Sequence, residues 1–213
     1  MAQRLAVLAS GGGSNLQALI DHFEGSDRGH IMTVIANEPG AGALERARIA
    51  CIDTALIDHR DFSSRSAFDA ALQNRLQANA IDWLCLAGFM RILTADFVER
   101  WRGRIVNIHP SLLPAFPGLH THDQALRAGV RFSGCTVHFV TPALDAGPII
   151  VQAVVPVMAD DTADSLAQRV LVQEHRCYPA AMDMLLSGRA RLEGDRVLFD
   201  QPPGTPDPLV WPI

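Results

Sequence analysis

Uninterrupted apolar runs alternate with stretches of helical periodicity along most of the chain. Residues 5–9 are all apolar, which suits a strand buried on both faces, and they lead into Ser10-Gly-Gly-Gly-Ser-Asn15. Leu16, Leu19, Ile20 and Phe23 then recur at helical spacing. A strand is predicted over 30–37, a helix over 43–50 and a short strand over 54–58. Phe68, Leu72 and Leu76 mark one face of a further helix. Residues 81–87 form the most hydrophobic run of this half, which predicts a central strand, and residues 88–93 follow as a loop. Residues 104–109 read as a strand that must end near His109, because Pro110, Pro114 and Pro117 forbid helix or further pairing.

Beyond that point the pattern changes. A short helix over 123–129 closes on Gly129, and strands over 135–140 and 149–157 flank a proline-containing loop as an antiparallel pair. Asp161, Asp164, Leu166, Val170, Glu174, His175 and Tyr178 fall in one helical region that Gly188 ends, and 191–198 reads as a hairpin. Alternation of strand and helix predicts an α/β fold. It would be Rossmann-like, with a mostly parallel sheet, helices on both faces and an antiparallel C-terminal portion. Residues 1–200 are expected to form a single domain, followed by an irregular Pro-rich tail at 201–213.

Composition narrows the function classes. The 213 residues carry a formal charge of -5 without blocks of like charge, which gives no expectation of a nucleic-acid partner. No run approaches eighteen apolar residues and the amino terminus has no signal-peptide pattern, so a cytoplasmic protein with no membrane partner is expected. The four cysteines are widely spaced and read as reduced, with Cys85 a buried structural thiol.

Three stretches carry candidate chemistry. Asn107 and His109 lie two apart on a strand and so share a face, where an amide donor beside a proton-carrying imidazole suits an oxyanion formed in acyl transfer. The same residues also suit a cap and a packed histidine at a strand end. The glycine turn between strand and helix can present backbone N–H groups and a helix N-terminus to one phosphate, with Ser14 or Asn15 as helix cap. It lacks the G-x-G-x-x-G spacing of a dinucleotide site, and a simple tight turn remains an alternative. His120-Thr-His122-Asp123 offers imidazoles two apart that can chelate zinc, but further ligands are not evident and no metal is expected.

Four motifs, in order, carry a resemblance that runs from about residue 5 to 192. They are Ser10-Gly-Gly-Gly-Ser-Asn-Leu-Gln17; Ala87-Gly-Phe-Met-Arg-Ile-Leu93; Asn107-Ile-His-Pro-Ser-Leu-Leu-Pro114 with Pro117-Gly-Leu-His-Thr-His122; and Val137-His-Phe-Val-Thr141 with Leu144-Asp-Ala-Gly-Pro-Ile149. Together they resemble the phosphoribosylglycinamide formyltransferases of the folate-dependent formyltransferase family.

The resemblance implies transfer of the formyl group of 10-formyltetrahydrofolate to glycinamide ribonucleotide, in purine biosynthesis, by a monomer or homodimer. It assigns catalysis to Asn107, His109 and Asp145, the substrate phosphate to Gly12, Gly13, Ser14 and Asn15, and the ribose to Glu174. Folate contacts fall to Arg65, to Met90, Arg91, Ile92 and Leu93, and to Thr141, Pro142, Ala143, Leu144 and Asp145. A carboxylate at Asp145 close to His109 would favour the imidazolium. Gly12, where relatives often carry a larger polar residue, and the apolar Pro142-Ala143 depart from the family pattern. The alternatives are a formyltetrahydrofolate hydrolase and a non-catalytic nucleotide-binding module. A methionyl-tRNA formyltransferase would carry a further domain.

Overall fold

The structure is a computed structural model that describes residues 2–200. The tail expected at 201–213 lies outside the described residues. Seven strands form one sheet in the order β3-β2-β1-β4-β5-β6-β7, and β8 and β9 form a separate hairpin. The strands are β1 (Gln3–Ala9), β2 (Gly29–Ala36), β3 (Asp53–Leu56), β4 (Trp83–Leu86), β5 (Ile105–His109), β6 (Phe132–Phe139), β7 (Ile149–Pro156), β8 (Ala190–Glu193) and β9 (Arg196–Phe199). Between them run α1 (Ser14–Phe23), α2 (Gly42–Ile49), α3 (Arg65–Ala78), α4 (Ala95–Arg100), α5 (Thr121–Ala128) and α6 (Ala163–Leu186). Pairings β1 with β2, β1 with β4, β2 with β3 and β4 with β5 are parallel, and β6 with β7 is antiparallel. This is the α/β class expected, with β4 in the middle of the sheet.

The chain divides into two compact units. One runs to Asn107 and includes Phe139–Pro142; the other comprises Ile108–His138 and the chain from Ala143 onward.

In the first unit, Leu5 through Ala9 are wholly inaccessible, as a strand covered on both faces must be. Ala6 and Leu8 pack with Phe68, Leu72 and Leu76 of α3 and with Leu84 and Leu86 of β4. Helix α3 forms because Ser64 accepts a hydrogen bond from Ala67 N at 3.1 Å as its N-cap, while apolar residues four apart supply one buried face. Each such buried side chain contributes roughly 1.5–3 kcal/mol relative to exposure.

Helix α4 has no counterpart in the sequence reading. Its six residues are too few to show a period, and its start is set by Thr94, whose Oγ1 accepts from Phe97 N. Elsewhere the differences are shifts of element ends: α5 begins at Thr121, and β6 begins at Phe132.

In the second unit, Thr136 of β6 is fully buried and organises the proline-rich turn. Its hydroxyl donates to Ser111 O at 2.6 Å and accepts from Leu113 N at 3.0 Å and Gln152 Nε2 at 2.9 Å. Helix α6 starts in a capping box in which Thr162 and Ser165 satisfy each other's backbone N–H groups. Pro179 lies inside α6 and removes one helical hydrogen bond, yet it is buried with Tyr178 and Met182, so packing holds the helix through it.

Asp161, just before α6, accepts both guanidinium N–H groups of Arg169 at 2.7 and 2.9 Å, together with bonds from Met158 N and Ser165 Oγ. The Arg169 guanidinium above all, with these further donors, holds its carboxyl well below the usual carboxylate range. A depressed folded value means the stabilisation is present above the unfolded pKa of about 4 and is lost as pH falls toward the folded value. Thermal melts should therefore show Asp161→Asn well below wild type at pH 7, with the gap narrowing steadily below about pH 4. A gap independent of pH would contradict this.

Candidate active site

Strand β5 carries both Asn107 and His109, and their spacing puts them on one face of it. In the second unit, His109 and Asp145 come together. Nδ1 of His109 lies 3.6 Å from Asp145 Oδ2, with the two side chains only 7% and 10% exposed. Nε2 of His109 lies 3.0 Å from the carbonyl oxygen of Phe116. A carbonyl can only accept, so Nε2 carries a proton and donates.

Asp145 is itself held in place. Gly118 N donates to its Oδ2 at 2.8 Å, and the residue adopts φ 49°, a left-handed conformation that costs about 1–3 kcal/mol outside glycine. A second imidazole, His138 of β6, brings Nε2 to 4.0 Å from Asp145 Oδ1 and is 2% exposed. Sequence reasoning assigned His138 no role, although it stands inside the fourth motif. The carboxylate thus lies between two buried histidines.

Ser111, in the turn after β5, donates its hydroxyl to Ala115 O at 2.7 Å and is fully buried, the behaviour of a turn residue. His120 is exposed and adopts φ 55° at the start of α5. His122 is half-buried, and burial, with a smaller contribution from the charge of His109, pushes its pKa down against the opposing pull of Asp123. Among the described residues, no three His, Cys, Asp or Glu side chains are grouped so as to hold a metal ion.

Glu174, on α6, is 7% exposed and stands one turn before Cys177. Cys177 and Cys135 of β6 are in hydrogen-bonding contact, and that contact together with burial pushes the Cys135 thiol far up. Cys85 is buried, as its apolar strand predicts.

The glycine turn belongs to the first unit. The expectation that Ser14 or Asn15 caps α1 is corrected: Gly13 is the cap residue, at φ 74°, and Ser14 is already helical. Glycine has no side chain to accept from the first helical turn, so the cap leaves those N–H groups without a side-chain acceptor from Gly13. A Cβ on Gly13 would stand 2.7 Å from Ala43 Cα, whereas one on Gly12 would meet nothing within 4 Å. The turn is docked on α2 by Ala43 N donating to Gly11 O at 3.1 Å and Arg46 Nε donating to Gly12 O at 2.8 Å.

Residues 88–94 follow β4 beside this turn, since β1 and β4 are paired. Met90 N donates to Ser10 Oγ at 2.7 Å, the Arg91 guanidinium lies 4.5 Å above the Phe68 ring, and Asp69 accepts from both Thr94 N and Thr94 Oγ1. Helix α3, which Arg65 opens, therefore holds the segment through Phe68 and Asp69. Met90 and Ile92 present 67% and 55% of their surface to solvent, and Leu93 is buried. Thr141 and Pro142 cluster with the first unit, and Ala143, Leu144 and Asp145 with the second.

The model of the formyl transferase family matches residues 3–182. The chain belongs to the formyl transferase family. It is 46% identical to the phosphoribosylglycinamide formyltransferase of Escherichia coli strain K12, over 92% of this chain and 93% of that protein. The crystal structure of glycinamide ribonucleotide transformylase 1 from Symbiobacterium toebii is 50% identical with a TM-score of 0.90, covering 93% of this chain and 94% of that one. The trifunctional purine biosynthetic protein adenosine-3 of Drosophila melanogaster is 54% identical over 88% of this chain, which spans only 14% of that relative's length.

Proposed function

We propose that residues 1–200 act as one cytoplasmic formyltransferase domain that transfers the formyl group of 10-formyltetrahydrofolate to the amine of glycinamide ribonucleotide. The observation that carries this reading is the buried His109–Asp145 pair at 3.6 Å, next along the chain to Asn107. Similarity over nearly the full length of relatives named for this reaction supports the choice of substrates.

In this reading the amine nitrogen attacks the formyl carbon, a carbon–nitrogen bond forms, and the carbonyl oxygen becomes an oxyanion. Asn107 donates to that oxygen. His109, with Asp145 facing its Nδ1, donates Nε2–H to it in exchange for the neutral Phe116 carbonyl, since a charged acceptor makes the stronger bond. The intermediate then breaks its bond to folate N10, which takes up the proton lost by the amine, directly through these groups or through water. No covalent acyl-enzyme is required, because the amine is an adequate nucleophile, and Ser111 has no part in the chemistry.

Gly12, Gly13, Ser14 and Asn15 are assigned to the substrate phosphate and Glu174 to the ribose hydroxyls. Arg65, residues 90–93 and residues 141–145 are assigned to the folate. No metal has a role.

Product analysis with each substrate omitted in turn tests the proposal. Formylglycinamide ribonucleotide should appear only when both are present, at a rate unchanged by chelator. Folate turnover without the ribonucleotide would favour a hydrolase, and ribonucleotide binding without turnover would favour a non-catalytic module. Loss of activity on chelation, restored by zinc, would move the chemistry to His120, His122 and Asp123.

A further inference from the structure

The serine that opens the glycine turn has no role in the scheme above, yet its hydroxyl stands where three strand ends meet. Ser10 Oγ donates to Asn37 Oδ1 at 2.6 Å and accepts from Met90 N at 2.7 Å, and Ser10 N donates to Gly88 O at 3.0 Å. Ser10 follows β1, Asn37 follows β2 and Gly88 follows β4. Asn37 is 2% exposed and is fixed in turn by His59, whose Nδ1 lies 3.0 Å from Asn37 O and 3.5 Å from Glu38 Oε1. The same Nδ1 lies 3.3 Å from Asn37 Nδ2, so the imidazole holds both the main chain and the carboxamide of Asn37, with Oδ1 turned to the serine.

A serine hydroxyl has one proton to give. With that proton committed to Asn37, the lone pair facing residues 88–93 can only accept, and the Met90 amide is its donor. The Met90 N–H is thereby spent on positioning and is not a group that reads a ligand. Two residues after Ser10 the stretch assigned to phosphate begins at Gly12, and Gly11 O, between them, accepts from Ala43 N. A shift of the Met90 backbone that keeps this 2.7 Å bond would carry Ser10 with it, and with Ser10 the backbone of Gly11 and Gly12.

We propose that Asn37 and Ser10 are positioning residues that couple the folate segment to the glycine turn, so that each substrate tightens the binding of the other. This inference rests on the functional reading above. Both attachment points lie within the first unit, and such couplings are typically 5–150-fold in affinity.

Calorimetric titration of glycinamide ribonucleotide, with and without saturating tetrahydrofolate, tests it. Wild type should bind the ribonucleotide at least fivefold more tightly with tetrahydrofolate present. Ser10→Ala should reduce that ratio to below twofold while changing either single-ligand affinity much less. Ser10→Thr, which keeps the hydroxyl, should restore the ratio. Asn37→Ala, which leaves the Met90 bond possible but removes its orienting partner, should give an intermediate ratio, and it stands in if Ser10→Ala does not fold. A wild-type ratio near one, or a full ratio in Ser10→Ala or, failing that, in Asn37→Ala, overturns the coupling alone. Failure of wild type to bind the ribonucleotide at all overturns both the coupling and the functional reading.

Discussion

Replacing His109 or Asp145 by alanine is expected to lower kcat by roughly a hundredfold or more, with folding intact by thermal melt. The expectation follows from where each group acts. One donor to an oxyanion is worth ~3 kcal/mol of barrier, which is about a hundredfold in rate. His109→Ala removes the donor outright. Asp145→Ala removes the carboxylate 3.6 Å from Nδ1 that faces the ring, and frees Gly118 N from its acceptor. Asn107→Ala should cost a similar factor. The double variant His109→Ala with Asp145→Ala should lose far less than the product of the single losses, because both residues serve one transition state. Asp145→Asn is the sharper control: it keeps the size and the contact to Gly118 but removes the charge. Near-normal turnover in all the single variants would remove these residues from the chemistry.

The second large effect is on stability and divides the glycine turn in two. Gly13→Val is expected to destabilise the protein by ~3 kcal/mol or more, since it places a β-branched residue at φ 74° with its Cβ 2.7 Å from a backbone atom of Ala43. Such a variant reports on folding and says nothing reliable about phosphate. Gly12→Ala is the informative change, because nothing lies within 4 Å of the added carbon. It should melt as wild type does while raising KM for glycinamide ribonucleotide roughly tenfold, by obstructing backbone approach to the phosphate, with KM for the folate little altered. An unchanged ribonucleotide KM in Gly12→Ala would detach this turn from the phosphate. Glu174→Ala should act in the same direction, and Glu174 is a buried carboxylate where a solvated helix face would have left it exposed.

What could be read from the chain and what could not differ in range. The order of strands and helices followed from local period: five consecutive apolar residues at 5–9 are buried throughout, and Phe68, Leu72 and Leu76 all face the core. The end of β5 at His109 followed from proline sterics alone. The approach of Asp145 to His109 did not follow from either rule. It depends on a loop after β6 folding back onto the turn after β5, a pairing that entered only through family resemblance.

The contact of His138 with the same carboxylate depends on the facing of β6, which an almost continuously buried strand does not reveal by alternation. The cap of α1 is likewise set by packing rather than by local sequence. Serine and asparagine are the usual side-chain caps, but here close packing against Ala43 selects glycine at the cap position. Helix α4 lacked the length to show any pattern.

Direct transfer, without release of formate, is the central claim, and an isotope experiment reaches it in one step. The purified protein would be given glycinamide ribonucleotide and folate carrying a carbon-13 formyl group in oxygen-18 water, and the products resolved by mass. The carbon label should appear in formylglycinamide ribonucleotide with no oxygen-18, because the oxyanion is the original formyl oxygen and no water adds to it. Labelled formate carrying oxygen-18 as the main product would contradict the account.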